Sequence, residues 1–299
     1  MASQKPEWLR VKAPGGETYS RIKTMLRGLG LHTVCEEAQC PNSAECWGGG
    51  TATVMILGDT CTRGCRFCAV SSGDPLGKVD SEEPEKVADM LSELGIKYAV
   101  LTSVGRDDLN DGGAGHYART IAAIKDKLPE VIIEALIPDL GGNEVALAKV
   151  VEAKPEVIGH NIETVESLSP KVRDRRASYR QSISLLRAVK RMDPLIYTKS
   201  SIMLGLGESE EEVLGSLRNL REAGVDMVTL GQYLRPSEWH IPVVEYVPPQ
   251  KFEMYRREAE DMGFLYAASG PLVRSSYRAG EFFVEALARK KKEKQSDGR

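Results

Sequence analysis

All six cysteines of this 299-residue chain, Cys35, Cys40, Cys46, Cys61, Cys65 and Cys68, fall inside a window of 34 residues. Clustering of this kind needs a common cause, and a disulfide framework, zinc, or iron with sulfur can supply one. The composition, 41% hydrophobic and 28% charged, buries enough apolar surface to fold without covalent staples. The opening Met-Ala-Ser-Gln-Lys-Pro-Glu has no apolar core of a secretion signal, so a disulfide framework fits poorly. Zinc sites pair their cysteines closely and add a second pair or histidines downstream. Here the spacing is two triplets, Cys35-x4-Cys40-x5-Cys46 and Cys61-x3-Cys65-x2-Cys68, and His32, His116, His160 and His240 are scattered and read as structural. Triplets suit cubane iron-sulfur clusters, which are held by thiolates and accept a fourth ligand other than cysteine.

The second triplet follows Thr51-Ala52-Thr53-Val54-Met55-Ile56-Leu57-Gly58, a β-branched and apolar run that reads as a buried strand. Its three thiols then lie on a loop leaving the C-terminal end of a strand, the end at which α/β barrels build active sites. Gly64 gives the loop the backbone freedom to curl around a cluster. Three sulfurs bind three irons of a cubane and leave the fourth open, which chemistry at the cluster requires and a purely structural site avoids.

Further apolar, β-rich runs recur at residues 97–102, 131–136, 157–160, 195–199, 227–230 and 264–267. Helical patterns lie between them: residues 82–94 place Val87, Met90, Leu91 and Leu94 on one face, and residues 209–223 place Val213, Leu217 and Leu220 at helical spacing. Repeated βα units give a parallel sheet, and at least six of them favour a partial or closed barrel over an open doubly wound sheet. No apolar run is long enough to cross a membrane, and Lys plus Arg is 40 against 43 Asp plus Glu. The expectation is a soluble, cytoplasmic protein with no membrane and no nucleic-acid partner. Gly-bearing loops follow several strands, among them residues 102–113 and 204–208, but none is a dinucleotide-binding or phosphate-binding loop. The Asp- and Arg-rich stretch at 105–111 is either a solvated rim or a set of ligand contacts at the mouth of the barrel.

Cys-x3-Cys-x-aromatic-Cys, with Phe67 in the aromatic place, resembles the signature of the radical S-adenosylmethionine (radical SAM) superfamily. A closer resemblance, to the lipoyl synthase family, rests on motifs that occur in one order from about residue 7 to residue 284. They are Cys35 to Asn42, Ala44 to Trp47, Asp59 to Ala69, Arg106 to Leu109, His160 to Thr164, Thr198 to Ser200, Gly231 to Ser237 and Arg274-Ser275-Ser276-Tyr277. The resemblance implies a partial (β/α)6 TIM-like barrel over residues 51–270, an N-terminal extension over 1–50 and a C-terminal extension over 271–299. It implies two 4Fe-4S clusters, one on Cys61, Cys65 and Cys68 whose open iron chelates SAM, the other auxiliary, on Cys35, Cys40, Cys46 and a serine, by position Ser276 with Ser275 as the alternative. Sulfur is inserted at C6 and C8 of an octanoyl chain amide-linked to a lysine of a carrier protein, and the auxiliary cluster donates the sulfur. An alkoxide is a poor match for cluster iron beside thiolate, so the serine-held corner is the one most easily lost. Radical chemistry suits the task because an unactivated C–H bond offers a base or nucleophile nothing to attack.

The partners implied are an octanoylated E2 lipoyl domain or glycine cleavage H protein as substrate, and an electron donor such as ferredoxin or flavodoxin. Asn161 and Glu163, after one strand, and Ser103 and Lys199, read as lying at strand ends, are candidate SAM contacts; each is equally an interior polar group bonded within its own loop. The segment from Gln232 to Ser237 is a candidate lining for the adenine or substrate channel. Two positions depart from the family pattern: Gly105, where an acidic residue or Asn is common, and Ser201, where Gly is usual. Residues 289–299 carry a net +4 against −7 for the rest and read as a solvated tail, or as a means of steering acidic carrier domains. Another radical SAM sulfur-inserting enzyme would lack the pairing of the first triplet with Arg-Ser-Ser-Tyr. A non-catalytic iron-sulfur protein would close each site with four cysteines.

Overall fold

β-Branched and apolar runs form seven strands in the computed structural model, which describes residues 5–10, 17–33, 42, 46, 51–281, 283 and 287. Cys35, Cys40 and the basic tail lie outside the described residues. The strands are β1 (Thr51–Ile56), β2 (Tyr98–Ser103), β3 (Ile132–Leu136), β4 (Val157–Gly159), β5 (Tyr197–Leu204), β6 (Met227–Gln232) and β7 (Tyr266–Gly270). They pair in chain order, all parallel, into one open sheet. The expected partial barrel is therefore present, with one strand more than six.

Helices α1 (Glu17–Leu29), α2 (Glu83–Glu93), α3 (Ala114–Lys127), α4 (Glu144–Glu152), α5 (Ser169–Val172), α6 (Tyr179–Met192), α7 (Glu210–Glu222) and α8 (Pro249–Asp261) punctuate the strands. The helical spacing read from the sequence is what buries them: Val87, Met90 and Leu91 of α2 and Val213, Leu217 and Leu220 of α7 are fully covered. Ser209 and Glu212 close a reciprocal capping box at the start of α7, satisfying amides that the helix itself cannot. No described helix is long and apolar enough to cross a membrane.

Alternation along each strand divides the side chains between two faces. Ala99, Leu101, Ile133 and Ala135 pack outward against helices in one continuous core with Val87, Leu91, Ile121 and Ile124. Tyr98, Val100, Val157 and Met227 face the other way, into the lumen, where they meet Ala279 and Phe283. The Phe283 ring stands edge-on to Tyr197 at 5.4 Å and tilted to Tyr98 at 5.9 Å, an arrangement that aromatic quadrupoles favour. The C-terminal segment thus enters beside the C-terminal end of β6, where Arg274 Nη1 donates to Gln232 O at 3.0 Å, and reaches the N-terminal ends of the strands. Half-buried Ser276 lies between these two points. Asn42 joins the other end of the chain to it by donating from Nδ2 to Leu272 O at 2.6 Å.

Gly231 permits this approach, since a Cβ there would stand 2.0 Å from the Val273 carbonyl oxygen. Backbone cannot yield as a flexible side chain does. Gly231→Ala is expected to cost about 1–3 kcal/mol by overpacking and to displace residues 272–274. A thermal melt, with protease sensitivity of the C-terminal segment as a second readout, checks this.

One boundary differs from the sequence reading. The fifth run was expected over residues 195–199, with Lys199 at its end, whereas β5 continues to Leu204. Ser200 and Ser201 look like a polar break, but their hydroxyls are satisfied inside: Ser200 Oγ accepts from Ile162 N, and Ser201 Oγ accepts from Thr229 Oγ1 at 2.8 Å. Paired hydroxyls can continue a buried strand.

Candidate active site at the cysteine loop

Cys61, Cys65 and Cys68 occupy the loop after β1, at the C-terminal edge of the sheet, as their place behind the first strand predicted. The loop is held on three sides. Thr62 N donates to Gly105 O at 2.9 Å beyond β2, Gly64 N donates to Asp174 Oδ2 at 2.9 Å beyond α5, and Ile241 N donates to Arg66 O at 3.0 Å beyond β6. Arg63 lies beneath the loop, binding Asp107 through Nε and Nη2 and Asp139 through Nη1 at 2.7 Å. Such paired, largely covered ions fix geometry well and cost much to break singly. Both aspartates are accordingly held below the ordinary carboxylate range, Asp107 chiefly by its hydrogen bond to Arg63, and Asp139 by the same guanidinium against the opposing effect of burial.

The sulfurs already receive backbone donors, Cys68 from Val70 among them. Cys61 Sγ accepts from Gly105 N at 3.2 Å, and Cys65 Sγ accepts from Asp174 N at 3.3 Å. Hydrogen bonds of this kind to ligand sulfurs stabilise thiolates and tune iron-sulfur clusters. Burial pushes the Cys65 thiol up to about 11 and Cys68 to about 12, and the neighbouring thiols and Glu163 add to the rise. Three thiolates crowded this way need a bound cation to coexist, so the donor set fits a cluster whose uptake releases protons. Among the described residues no three His, Cys, Asp or Glu groups gather closely enough for a single ion. Gly105, unusual in the motif it occupies, also has a reason here: a Cβ would stand 3.2 Å from Cys61 Sγ and 3.3 Å from the Arg63 side chain.

Phe67 packs against the cluster of Val172, Leu206 and Tyr233, pinning the loop to the barrel rim. Glu163 bridges to Ile202 with a left-handed backbone, φ +67°, a conformation that a non-glycine residue adopts only when its surroundings impose it. Its carboxyl is raised by burial, against the opposing Arg173 and the hydrogen bond from Asn161, and it lies close enough to Cys65 and Cys68 to act on both thiols. Asn161 and Glu163 are thus brought to the cysteine loop. Lys199 is not, and Ser103, two residues before the Gly105 amide that reaches Cys61 Sγ, turns its hydroxyl elsewhere. Ser103 Oγ donates to Val104 O at 3.0 Å and faces Tyr117 of α3, on the helix side of the sheet. Lys199 is the third residue of β5, and its Nζ sits 2.9 Å from both carboxylate oxygens of Glu134, itself bonded by Tyr98 Oη at 2.7 Å. Gln232 is also spent on structure: Nε2 donates to the Leu204 and Glu245 carbonyls, and Oε1 accepts from Val247 N.

Several residues that hold this site are absent from the cysteine motif. Arg106 is 2% exposed and binds Leu57 O, Lys78 O and Asp108, so within the Asp- and Arg-rich stretch it is an internal brace, while Asp107, Asp108 and Asn110 stay exposed at the rim. The ring of His240 lies between Ser237 Oγ and Cys68 O, at 2.8 Å from each. His160 is structural, as expected: Ile137 O can only accept, so Nδ1 carries the proton, and Nε2 accepts from Ser182 Oγ at 2.8 Å. Burial, with the Arg173 charge adding to it, lowers His160 to about 4. Between about pH 6.5 and 4 the unfolded chain then binds more protons than the folded one, so stability drops as the pH is lowered, by up to about 1.4 kcal/mol per unit from this site. Urea unfolding at pH 7 and 4.5 is expected to show a shallower pH dependence in His160→Gln than in the parent.

Comparison with known proteins agrees with this geometry. The family model of the radical SAM superfamily matches residues 55–220. The fold is shared with the FeFe-hydrogenase maturase HydG from Carboxydothermus hydrogenoformans (TM-score 0.56, 12% identity, 85% of this chain and 70% of that one). It is shared also with methylornithine synthase (TM-score 0.52, 19% identity, 78% of this chain and 68% of that one). Fold and loop together define a radical SAM enzyme. The model of the N-terminal domain of lipoyl synthase matches residues 2–40. The lipoyl synthases of Thermus thermophilus (55% identity over 95% of this chain and 88% of that protein) and Halobacterium salinarum (56%, over 97% and 94%) align along nearly the whole length. The chain belongs to the lipoyl synthase family.

Proposed function

We propose that this chain is a cytoplasmic lipoyl synthase that inserts two sulfurs, at C6 and C8, into an octanoyl group amide-linked to a lysine of a carrier protein. Cys61, Cys65 and Cys68 would hold the cluster that binds SAM. Cys35, Cys40, Cys46 and Ser276 would hold the second, so that the extensions 1–50 and 271–299 build one site together. When bound, the first cluster and SAM supply one-electron cleavage and hydrogen abstraction, and the second supplies sulfur. The chain's own residues position and exclude. Arg63, with Asp107 and Asp139, fixes the cysteine loop, while Asn161 and the strained Glu163 offer a preorganised contact for the amino-acid or ribose part of SAM. Ser103 and Lys199 serve the scaffold.

The observation that carries the reading beyond radical SAM chemistry in general is the bond from Asn42 to Leu272. It ties the segment of the first cysteine triplet to the segment of Arg-Ser-Ser-Tyr. The substrate is expected to be an octanoylated E2 lipoyl domain or H protein, with an electron supplied by a ferredoxin or flavodoxin. Anaerobic reconstitution with iron and sulfide, followed by SAM, dithionite and an octanoyl-lysyl peptide, tests the reading by mass spectrometry. A gain of two sulfurs supports it; SAM cleavage without sulfur gain would leave a radical SAM enzyme of another specificity.

A further inference from the structure

The rim beside the cysteine loop carries charge that the described interactions do not use. Arg66, inside the cysteine motif, and Lys171 and Arg175 are exposed, and their side chains make no hydrogen bond or ion pair among the described residues. They form one surface, because Arg66 N donates to Val172 O at 3.0 Å and Asp174 N donates to Cys65 Sγ at 3.3 Å, placing residues 171–175 against the loop. Arg235 joins them from the segment after β6, close enough that it and Arg66 both act on the Tyr233 hydroxyl. Glu238 is the acid on that segment, whereas Arg176 beside it is neutralised by Asp174 and Asp107. Among these cations stands Trp239, 63% exposed. Its ring meets that of His240 edge-on at 5.1 Å, and His240 Nε2 is 2.8 Å from Cys68 O.

Arg235 holds the turn around Trp239 by donating to the Glu238 and His240 carbonyls, yet no described carboxylate neutralises it, and an exposed tryptophan beside cations left without acidic partners is the composition of an interface core. We infer that Arg66, Lys171, Arg175, Arg235 and Trp239 form the docking surface for a small acidic one-electron carrier protein. The inference rests on the radical SAM part of the proposed function. One electron leaves the carrier and enters the site of the three cysteines; no proton or group moves with it. Position argues for this occupant over the octanoylated carrier domain, because the patch borders the ligands of the cluster to be reduced. Trp239 and His240 give a contiguous path from the surface to the backbone of Cys68. Electron-transfer partners associate through small, charge-steered interfaces, which a cluster of four cations around one aromatic suits.

The test compares the parent with Lys171→Glu/Arg175→Glu, using the chain loaded with both clusters and an acidic flavodoxin as probe. Binding of flavodoxin, titrated at low and at moderate salt, is expected to weaken about tenfold or more in the variant and to lose most of its salt dependence. SAM cleavage driven by flavodoxin should fall with it, while cleavage driven by dithionite stays at the parental rate. Trp239→Ala should weaken flavodoxin binding without altering the dithionite rate. Unchanged flavodoxin binding in the double variant overturns the proposal. So does an equal loss with dithionite, which would make these residues supports of the loop, or weakened binding of an octanoylated lipoyl domain in place of flavodoxin. None of these readouts depends on sulfur insertion, so failure of the lipoyl reading would be seen separately.

Discussion

Cys65→Ala is expected to abolish SAM cleavage, by well over about a hundredfold, and to leave the reconstituted chain with about half of its iron. The loop offers no substitute ligand: among the described residues the remaining cysteines near it are Cys61 and Cys68, and His240 is occupied between Ser237 and Cys68. Truncation also leaves the Asp174 amide without the sulfur it now binds. Removing a group one shell beyond a metal ligand already costs ten- to a hundredfold, and removing the ligand itself costs more. The fold should survive, since the loop is fastened by backbone bonds to Gly105, Val172 and Ile241 that the substitution leaves in place. Iron per chain, the visible absorbance of the cluster, and the yield of cleaved SAM measure the three parts of this expectation. A chain that keeps its full iron and activity would mean that the loop does not hold the cluster.

Much of this site was legible because cluster chemistry constrains spacing more tightly than it constrains anything else. The spacing of Cys61, Cys65 and Cys68 points to a cubane with one open iron, the resemblance to radical SAM enzymes implies what that iron binds, and the β-branched run before them places them at the catalytic end of a strand. Packing helices were readable for the same kind of reason, since Val213, Leu217 and Leu220 repeat at the helical period. What could not be read are interactions set by tertiary contact. His240 and Cys68 are separated by 172 positions and Lys199 and Glu134 by 65, and no local pattern announces either pair. The apolar run read from the sequence stops at Lys199, but the Ser200 and Ser201 hydroxyls, which find Ile162 N and Thr229 Oγ1, behave as strand interior. The brace of Arg106 has the same origin. Charge in a sequence reads as surface until its partners are known.

Lys199→Met should be among the most destabilising single substitutions in the lumen. Glu134 is fully buried and Lys199 is 6% exposed, and the carboxylate relies on the ammonium and on Tyr98 Oη for all its described contacts. Deleting the cation strands an uncompensated charge, a loss of about 3–5 kcal/mol. For a chain of this size that corresponds to a fall in melting temperature of roughly 10 °C. Neutralising both partners, as Lys199→Met/Glu134→Leu, removes the stranded charge and is expected to recover most of the loss, because buried pairs are often replaceable by apolar groups of similar volume. Tyr98→Phe, which removes one hydrogen bond, should cost about 1 kcal/mol. Melting temperatures of the four chains at pH 7 decide the matter: equal losses in the single and double variants would show that packing, and not charge, dominates the position.

The bond from Asn42 to Leu272 spans 230 positions, and this sets a schedule for the newly made chain. At about 5–20 residues per second, roughly ten to fifty seconds separate synthesis of these two residues. The loop of Cys61, Cys65 and Cys68 closes against Gly105 and Val172 well before that interval is over. Throughout it the N-terminal cysteines have no partner from the other end. The half of the chemistry proposed to give up sulfur is therefore the last to find its ligands, after residues 272–276 have been made.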